Sequence, residues 1–241
     1  MRHKIFFIAC MALTALLSSC KKDDAKKDSY KCASCKTTPD ALAVNDNSSK
    51  GIYKGIITGS TGTIMFDVMN GGTTITATMV LDGVTTNLTS SISWTNGNSY
   101  VAPFTGTLNG VPVTITFSVD ANGGNPTISS SNIPGHTNAQ FILAKESSTS
   151  LIEAFEGKYE TTKPEKGTFN ILLSRTLLRW GGIHRKDGDT VSEDMDGTIT
   201  RDGKLMEDGT NYVGTLDGDV INGSFKDSDQ RTVTVTGKRT L

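Results

Sequence analysis

The chain has 241 residues, with 24 Lys and Arg against 25 Asp and Glu for a formal net charge of -1. A balance this close to neutral gives no electrostatic footprint for nucleic acid. The length bounds the fold at one large or two small β domains, and no stretch beyond the N-terminal twenty residues approaches a transmembrane span.

The chain opens with a basic head, Arg2, His3 and Lys4, and an apolar run from Ile5 to Leu17 broken only by Thr14. The run is too short to span a bilayer comfortably and fits the apolar region of an export signal, residues 1–19. At its end stands Leu17-Ser18-Ser19-Cys20, which resembles the lipobox of bacterial lipoproteins. That resemblance implies diacylglycerol on the Cys20 thiol, cleavage before it and acylation of the new amine, so that Cys20 is a tether to the membrane. One acyl chain binds a bilayer marginally, whereas two or more anchor it at about 0.8 kcal/mol per buried methylene. The alternatives are an ordinary secretory signal with a coincidental cysteine and an uncleaved anchor; the charged Lys21-Lys22-Asp23-Asp24 disfavours the latter. The same charged cluster resembles the surface-export signal of Bacteroidetes lipoproteins. It implies a lipid-anchored outer-membrane protein displayed at the cell surface, with a periplasm-facing anchor as the alternative.

Residues 20–49 are mostly charged or small and polar and show no apolar period, so they read as a lipidated flexible stalk. Within it lies Cys32-Ala33-Ser34-Cys35. A redox pair wants a helix start in a βαβ setting, and zinc wants two further ligands; neither His136 nor His184 has metal spacing. Haem attachment wants His where Lys36 stands. An oxidising compartment favours a local disulfide between Cys32 and Cys35, with free or intermolecular thiols as the other reading.

From Gly51 onward, short Thr-, Ile-, Val- and Phe-rich segments are punctuated by Asn-Gly or Asp-Gly. These pairs stand at residues 70, 82, 96, 109 and 122, and again at 187, 196, 202, 208, 217 and 222. Both tolerate the positive φ of tight hairpins, so the spacing predicts a meander of antiparallel strands. Alternation agrees: Ile64, Phe66 and Val68 share one face, as do Val111, Val113, Ile115, Phe117 and Val119. Leu151 to Phe155 reads as a short helix acting as a hinge. Around it, Gly51-Ile52-Tyr53, Gly62-Thr63-Ile64 and Phe104 to Gly110 parallel Gly157-Lys158-Tyr159, Gly167-Thr168-Phe169 and Tyr212 to Gly218. The expectation is an all-β chain with two tandem antiparallel meander lobes, residues 50–146 and 147–241, each a small barrel or half-barrel. One large barrel or sandwich is the competing topology. The Gly-x-Tyr opening with Gly-Thr hairpins resembles, at the level of pattern, lipocalin-like and avidin-like barrels, and no ligand residue carries over from it.

The lobes differ in charge: residues 46–144 hold four acids and two bases, residues 151–241 sixteen acids and thirteen bases. The first lobe's hydroxyl-rich surface suits glycan or partner contact through Trp94, Tyr100 and Phe104, or is simply the Thr face of a sheet. Trp180, beside Gly181-Gly182, either lines a barrel mouth or packs in the core. His136 and His184 read as surface residues near turns. The acids from Asp187 to Asp196 invite a calcium reading, but set from Ser192 the twelfth position is Gly203 where an EF-hand needs Glu; a solvated hairpin is the plain alternative. No phosphate loop or Gly-x-Ser-x-Gly elbow occurs. Asp189-Thr190-Val191 resembles the short O-glycosylation sequon of Bacteroidetes exported proteins. No metal and no cofactor is implied.

The expected function is a non-catalytic, lipid-anchored envelope module. It takes a glycan, a small apolar ligand or a protein partner and does not bind nucleic acid. A hydrolase using carboxylates of the second lobe, whose separation is a three-dimensional quantity, and a structural or adhesion component are the alternatives.

Overall fold

In the computed structural model, which describes residues 30–58, 62–163 and 165–241, Asp82-Gly83 and Asn109-Gly110 take positive φ at both positions (49° and 79°, 51° and 81°). This is the geometry that turns a chain back on itself in two residues while matching strand twist. The first lobe comprises β1 (Gly51–Thr58), β2 (Gly62–Val68), β3 (Ile75–Leu81), β4 (Val84–Thr89), β5 (Tyr100–Leu108), β6 (Val111–Val119), β7 (Thr127–Asn132) and β8 (Gln140–Lys145). The second comprises β9 (Glu153–Thr161), β10 (Lys166–Ser174), β11 (Arg179–Lys186), β12 (Glu193–Ile199), β13 (Lys204–Glu207), β14 (Asn211–Asp217), β15 (Val220–Lys226) and β16 (Thr232–Arg239). The chain is thus all-β, with two tandem antiparallel meanders. In each, the first strand pairs with both the second and the eighth. The second sheet closes completely, whereas the first runs β7-β6-β5-β4-β3-β2-β1-β8 and leaves β7 and β8 as unladdered edges of a nearly closed barrel. The export signal and Cys20 lie outside the described residues.

Not every turn signal marks a turn. Gly197 and Gly223 sit inside β12 and β15. A Cβ at Gly197 would meet the Met206 carbonyl oxygen and lie 3.0 Å from the Trp180 indole nitrogen. The glycine there makes room for the indole and the neighbouring strand. The expected helix at Leu151 to Phe155 is absent: Glu153, Ala154 and Phe155 begin β9, opposite Leu173, Leu172 and Ile171 of β10. Phe155 is fully buried inside the second barrel, and Ile152 and Ala154 pack between the lobes. Tertiary burial overrides a weak local helical signal there.

The internal repeat also shifts. Ile57 faces Gly62 in the first lobe and Tyr159 faces Gly167 in the second, so the structural counterpart of Gly157-Lys158-Tyr159 is Gly55-Ile56-Ile57, not Gly51-Ile52-Tyr53. Phe104 to Gly110 ends the fifth strand of its lobe, while Tyr212 to Gly218 covers the sixth of the other. The lobes share strand order; the similar peptides recur because similar hairpins need similar turns.

Inside the first barrel the predicted alternation holds for Ile64, Phe66, Val68, Val113, Ile115, Phe117 and Val119, all buried. Val111 has the right parity but sits at the hairpin tip beyond the interior, 48% exposed. β1 is buried on both faces. Tyr53 and Ile57 point inward, while Ile56 packs with Ile142 and Ala144 against Ile152, Ala154, Leu172 and Ile183. This apolar seam joins the lobes, with Asn170 donating across it to the Ile57 carbonyl at 2.9 Å. At its edge Lys54 and Glu146, both buried, form an ion pair at 2.5 Å. Glu146 also accepts the backbone N–H groups of Asp40 and Ile152, at 2.7 and 3.0 Å.

Residues 30–49, expected as part of a flexible stalk, are a strap laid over both lobes. The Tyr30 hydroxyl and the Cys32 N–H bond to Arg239 and Asp219 of the second barrel. Asn45 donates to the Asn70 carbonyl, and Asp46 accepts from Ser148, in the first lobe and its exit. Asn45 and Ser49 are buried. The strap is held by polar groups satisfied one by one, not by an apolar stripe, so it carries no periodicity to read.

Candidate functional site

The second barrel is hollow. Phe169, Ile171, Trp180, Leu205, Ile221 and Val235 form the apolar wall of a cavity of about 250 Å³, with Tyr159, Glu165, His184, Glu207, Asp227 and Arg231 among its polar groups. Its volume falls just under the ~300–1,000 Å³ typical of drug-sized pockets, so it suits a small molecule or the tip of a larger one. The Phe169 ring occupies the space a Cβ at Gly157 or Gly237 would need, and the Tyr159 ring does the same over Gly167. Aromatic rings laid across glycines in the wall fix the lining while keeping the centre open.

At the mouth, Tyr159 meets His184 edge to face, ring centroids 5.8 Å apart, and His184 lies 3.5 Å from the Glu193 carboxylate. Burial first, and then the carboxylates of Glu165, Asp187, Glu193 and Asp189, push the Tyr159 hydroxyl up to about 12. One guanidinium serves three acids there: Arg231 contacts Asp227 at 2.7 Å, Glu165 at 3.4 Å and Asp229 at 3.6 Å. Partial desolvation pulls Asp227 upward, but hydrogen bonds from the Arg231 backbone and side chain outweigh it and hold the acid below its ordinary value. Glu207 differs. Its carboxyl is raised by burial, then by Asp208 and Asp196, with His184 opposing.

Trp180 both packs and lines: it is 5% exposed, borders the cavity, and donates its indole N–H to the Thr198 carbonyl at 3.0 Å. His184, expected at the surface near a turn, stands on β11 at the cavity mouth. Trp94 and Tyr100 lie far from it in the fold, at the capped end of the first barrel. The Trp94 indole donates to the Ser49 hydroxyl at 2.8 Å beneath the Lys50 ammonium, and the Tyr100 hydroxyl donates to the Ile92 carbonyl at 3.0 Å. Phe104 is fully buried in the first barrel. Cys32 and Cys35 form a disulfide within the strap, Cα atoms 5.4 Å apart. Asp187 and Asp189 belong to the turn after β11, and among the described residues no group of three His, Cys, Asp or Glu side chains converges as a metal site.

Sequence reading missed Tyr159, Glu207 and Arg231 as one site. Parity was the available signal: Glu207 follows Leu205 by two residues, and Tyr159 follows Phe155 by four, each on the inward face. The four-residue length of β13 leaves too short a run for that parity to show in the sequence.

Fold and site together define a class: an all-β protein of two tandem eight-stranded meanders, the second a closed barrel with an apolar, acid-rimmed hollow. Comparison of the chain with protein-family models, with curated proteins and with solved structures finds no match.

Proposed function

We propose that this protein is a non-catalytic binding module of the bacterial envelope, lipid-anchored through Cys20 at the outer membrane and facing outward, whose second barrel receives a small, largely apolar ligand. The observation that carries the reading is the contrast of interiors: the rings of Tyr53, Phe66, Phe104 and Phe117 pack against one another through the middle of the first barrel, while the second keeps an apolar-walled cavity of about 250 Å³ open at one end. A pre-formed concavity with few, placed polar groups is what small-ligand sites look like. The lipobox-like Leu17-Ser18-Ser19-Cys20 supports the anchor.

A hydrolase would need two carboxylates free to divide acid and base roles. Glu165 and Asp227 both engage Arg231 as ion-pair partners, which supports binding over catalysis.

The test uses Trp180 as reporter in the full chain carrying Cys20→Ala, to remove the anchor, and Trp94→Phe, to leave one indole. Titration with the neutral probe 4-phenyl-1-butanol is expected to give a saturable change in Trp180 emission, lost when Val213→Phe fills the cavity. Emission that does not saturate up to the probe's solubility limit overturns the ligand reading. Mass analysis of the native protein without lipid on residue 20 overturns the anchor.

A further inference from the structure

The second barrel's cavity contains one acid that the rest of the fold does not neutralise. Glu207 lines the hollow from the end of β13, on the same hydrogen-bonded row as Gly197 and Trp180. Among the described residues no hydrogen bond or ion pair engages its carboxylate; the charges it feels are Asp208 and Asp196, which oppose ionisation, and His184, which favours it. The other two acids that line the cavity, Asp227 and Glu165, are paired with Arg231, and Glu193 beside them has His184. A half-desolvated carboxylate without a partner is costly, and a cation arriving from outside relieves that cost. The surroundings suit such a cation. The aromatic side chains of Trp180, Tyr159 and Phe169 line the cavity, and aromatic rings attract ammonium groups. At the mouth the acids Glu165, Asp187, Asp189, Glu193, Asp227 and Asp229 outnumber the cations Arg231 and Lys186, so the balance of charge at the opening is negative and concentrates cations.

We infer that the cavity selects small hydrophobic amines, the ammonium paired with the Glu207 carboxylate and the hydrocarbon body lying against Phe169, Ile171 and Ile221. This rests on the reading of the second barrel as a ligand site. Protonated primary amines carry the charge and the hydrogen-bond donors that Glu207 lacks, while carboxylates and phosphates meet repulsion at the mouth. The apolar wall favours an aryl or alkyl body over a polar one.

The test pairs 4-phenylbutylamine with its neutral counterpart 4-phenyl-1-butanol, titrated into the full chain carrying Cys20→Ala and Trp94→Phe at low salt and neutral pH. The amine is expected to bind at least tenfold tighter than the alcohol. In Glu207→Gln that advantage is expected to fall below twofold while affinity for the alcohol is kept, which also shows that the variant is folded. Equal affinities in the parent protein overturn amine selection and leave the apolar site standing. An amine advantage that survives Glu207→Gln also overturns the inference, by placing selectivity in the diffuse charge of the mouth. If neither compound binds, the ligand reading falls with it.

Discussion

Between β1 and β2 of the first barrel, Tyr53 stands opposite Phe66; at the matching place in the second, Phe155 stands opposite Ile171. Where β5 and β6 bring Phe104 and Phe117 to the centre, β13 and β14 bring Leu205 and Leu216. Phe66 and Phe117 stack at 4.5 Å, and Phe104 meets Phe66 edge-on at 4.9 Å. With aliphatic side chains at these positions, and with the second barrel's own rings Phe169 and Tyr159 laid over glycines in its wall, space remains at the centre that backbone adjustment does not recover. The charge of the two lobes follows the same division. The filled barrel has an almost uncharged Thr and Ser surface, and the hollow one carries the acids that rim its opening. A core and a receptacle are thus built from one strand plan by the choice of interior residues.

The largest way to break this comparison is at the joint that holds the barrels as one body. Glu146→Ala leaves Lys54 buried without its partner and strips an acceptor from Asp40 and Ile152. Removing one member of a buried pair costs about 3–5 kcal/mol, and urea denaturation is expected to show that loss. A loss below about 1 kcal/mol would mean that water reaches the pair.

Next, overpacking should separate the two interiors. Ala102→Leu, at a fully buried site in the first barrel, is expected to cost about 1–3 kcal/mol. Val213→Phe, on the cavity wall, is expected to be close to neutral in the same denaturation experiment. Equal penalties would count against a filled first and an open second barrel.

A third, comparable effect concerns the strap, which is seated on both lobes. Replacing Cys32 and Cys35 together by Ser opens a short loop, worth about 2 kcal/mol by chain entropy alone. Proteolysis of residues 30–49 should speed up before the barrels themselves are cut.

The smallest effect is set by Glu207. Its folded-state pKa lies above the ordinary 4.5, so the folded chain holds this proton more tightly than the unfolded one. Its contribution to stability is therefore present below 4.5 and lost as pH rises through the folded-state value. Glu207→Gln is expected to gain stability relative to the parent over that rise, read as a difference in melting temperature between acidic and neutral buffer. A difference independent of pH would show the carboxyl to be unperturbed.

The meanders were legible because turn chemistry is local: Asp82-Gly83 and Asn109-Gly110 announce their backbone conformation in two residues. Inward faces were legible where alternation ran long, as in β2 and β6. The hollow was not, since a cavity is the sum over eight strands of what each interior residue fails to fill. Nor was the strap, because Asn45, Asp46 and Ser49 look in sequence like linker residues and become structural only when Asn70, Ser148 and Trp94 are brought to them. Trp180 stands out in the sequence beside its glycines, but only the closed sheet, in which β9, β11 and β13 share one interior, joins it to Tyr159 and Glu207.

Xenon placed under pressure on crystals of the protein probes the two interiors in a single experiment, since apolar cavities bind xenon and packed cores do not. Density is expected within the second barrel, among Phe169, Ile171 and Ile221, and none among Tyr53, Phe66, Phe104 and Phe117. Xenon in the first barrel, or its absence from the second, would contradict the division between a solid body and a receiving one.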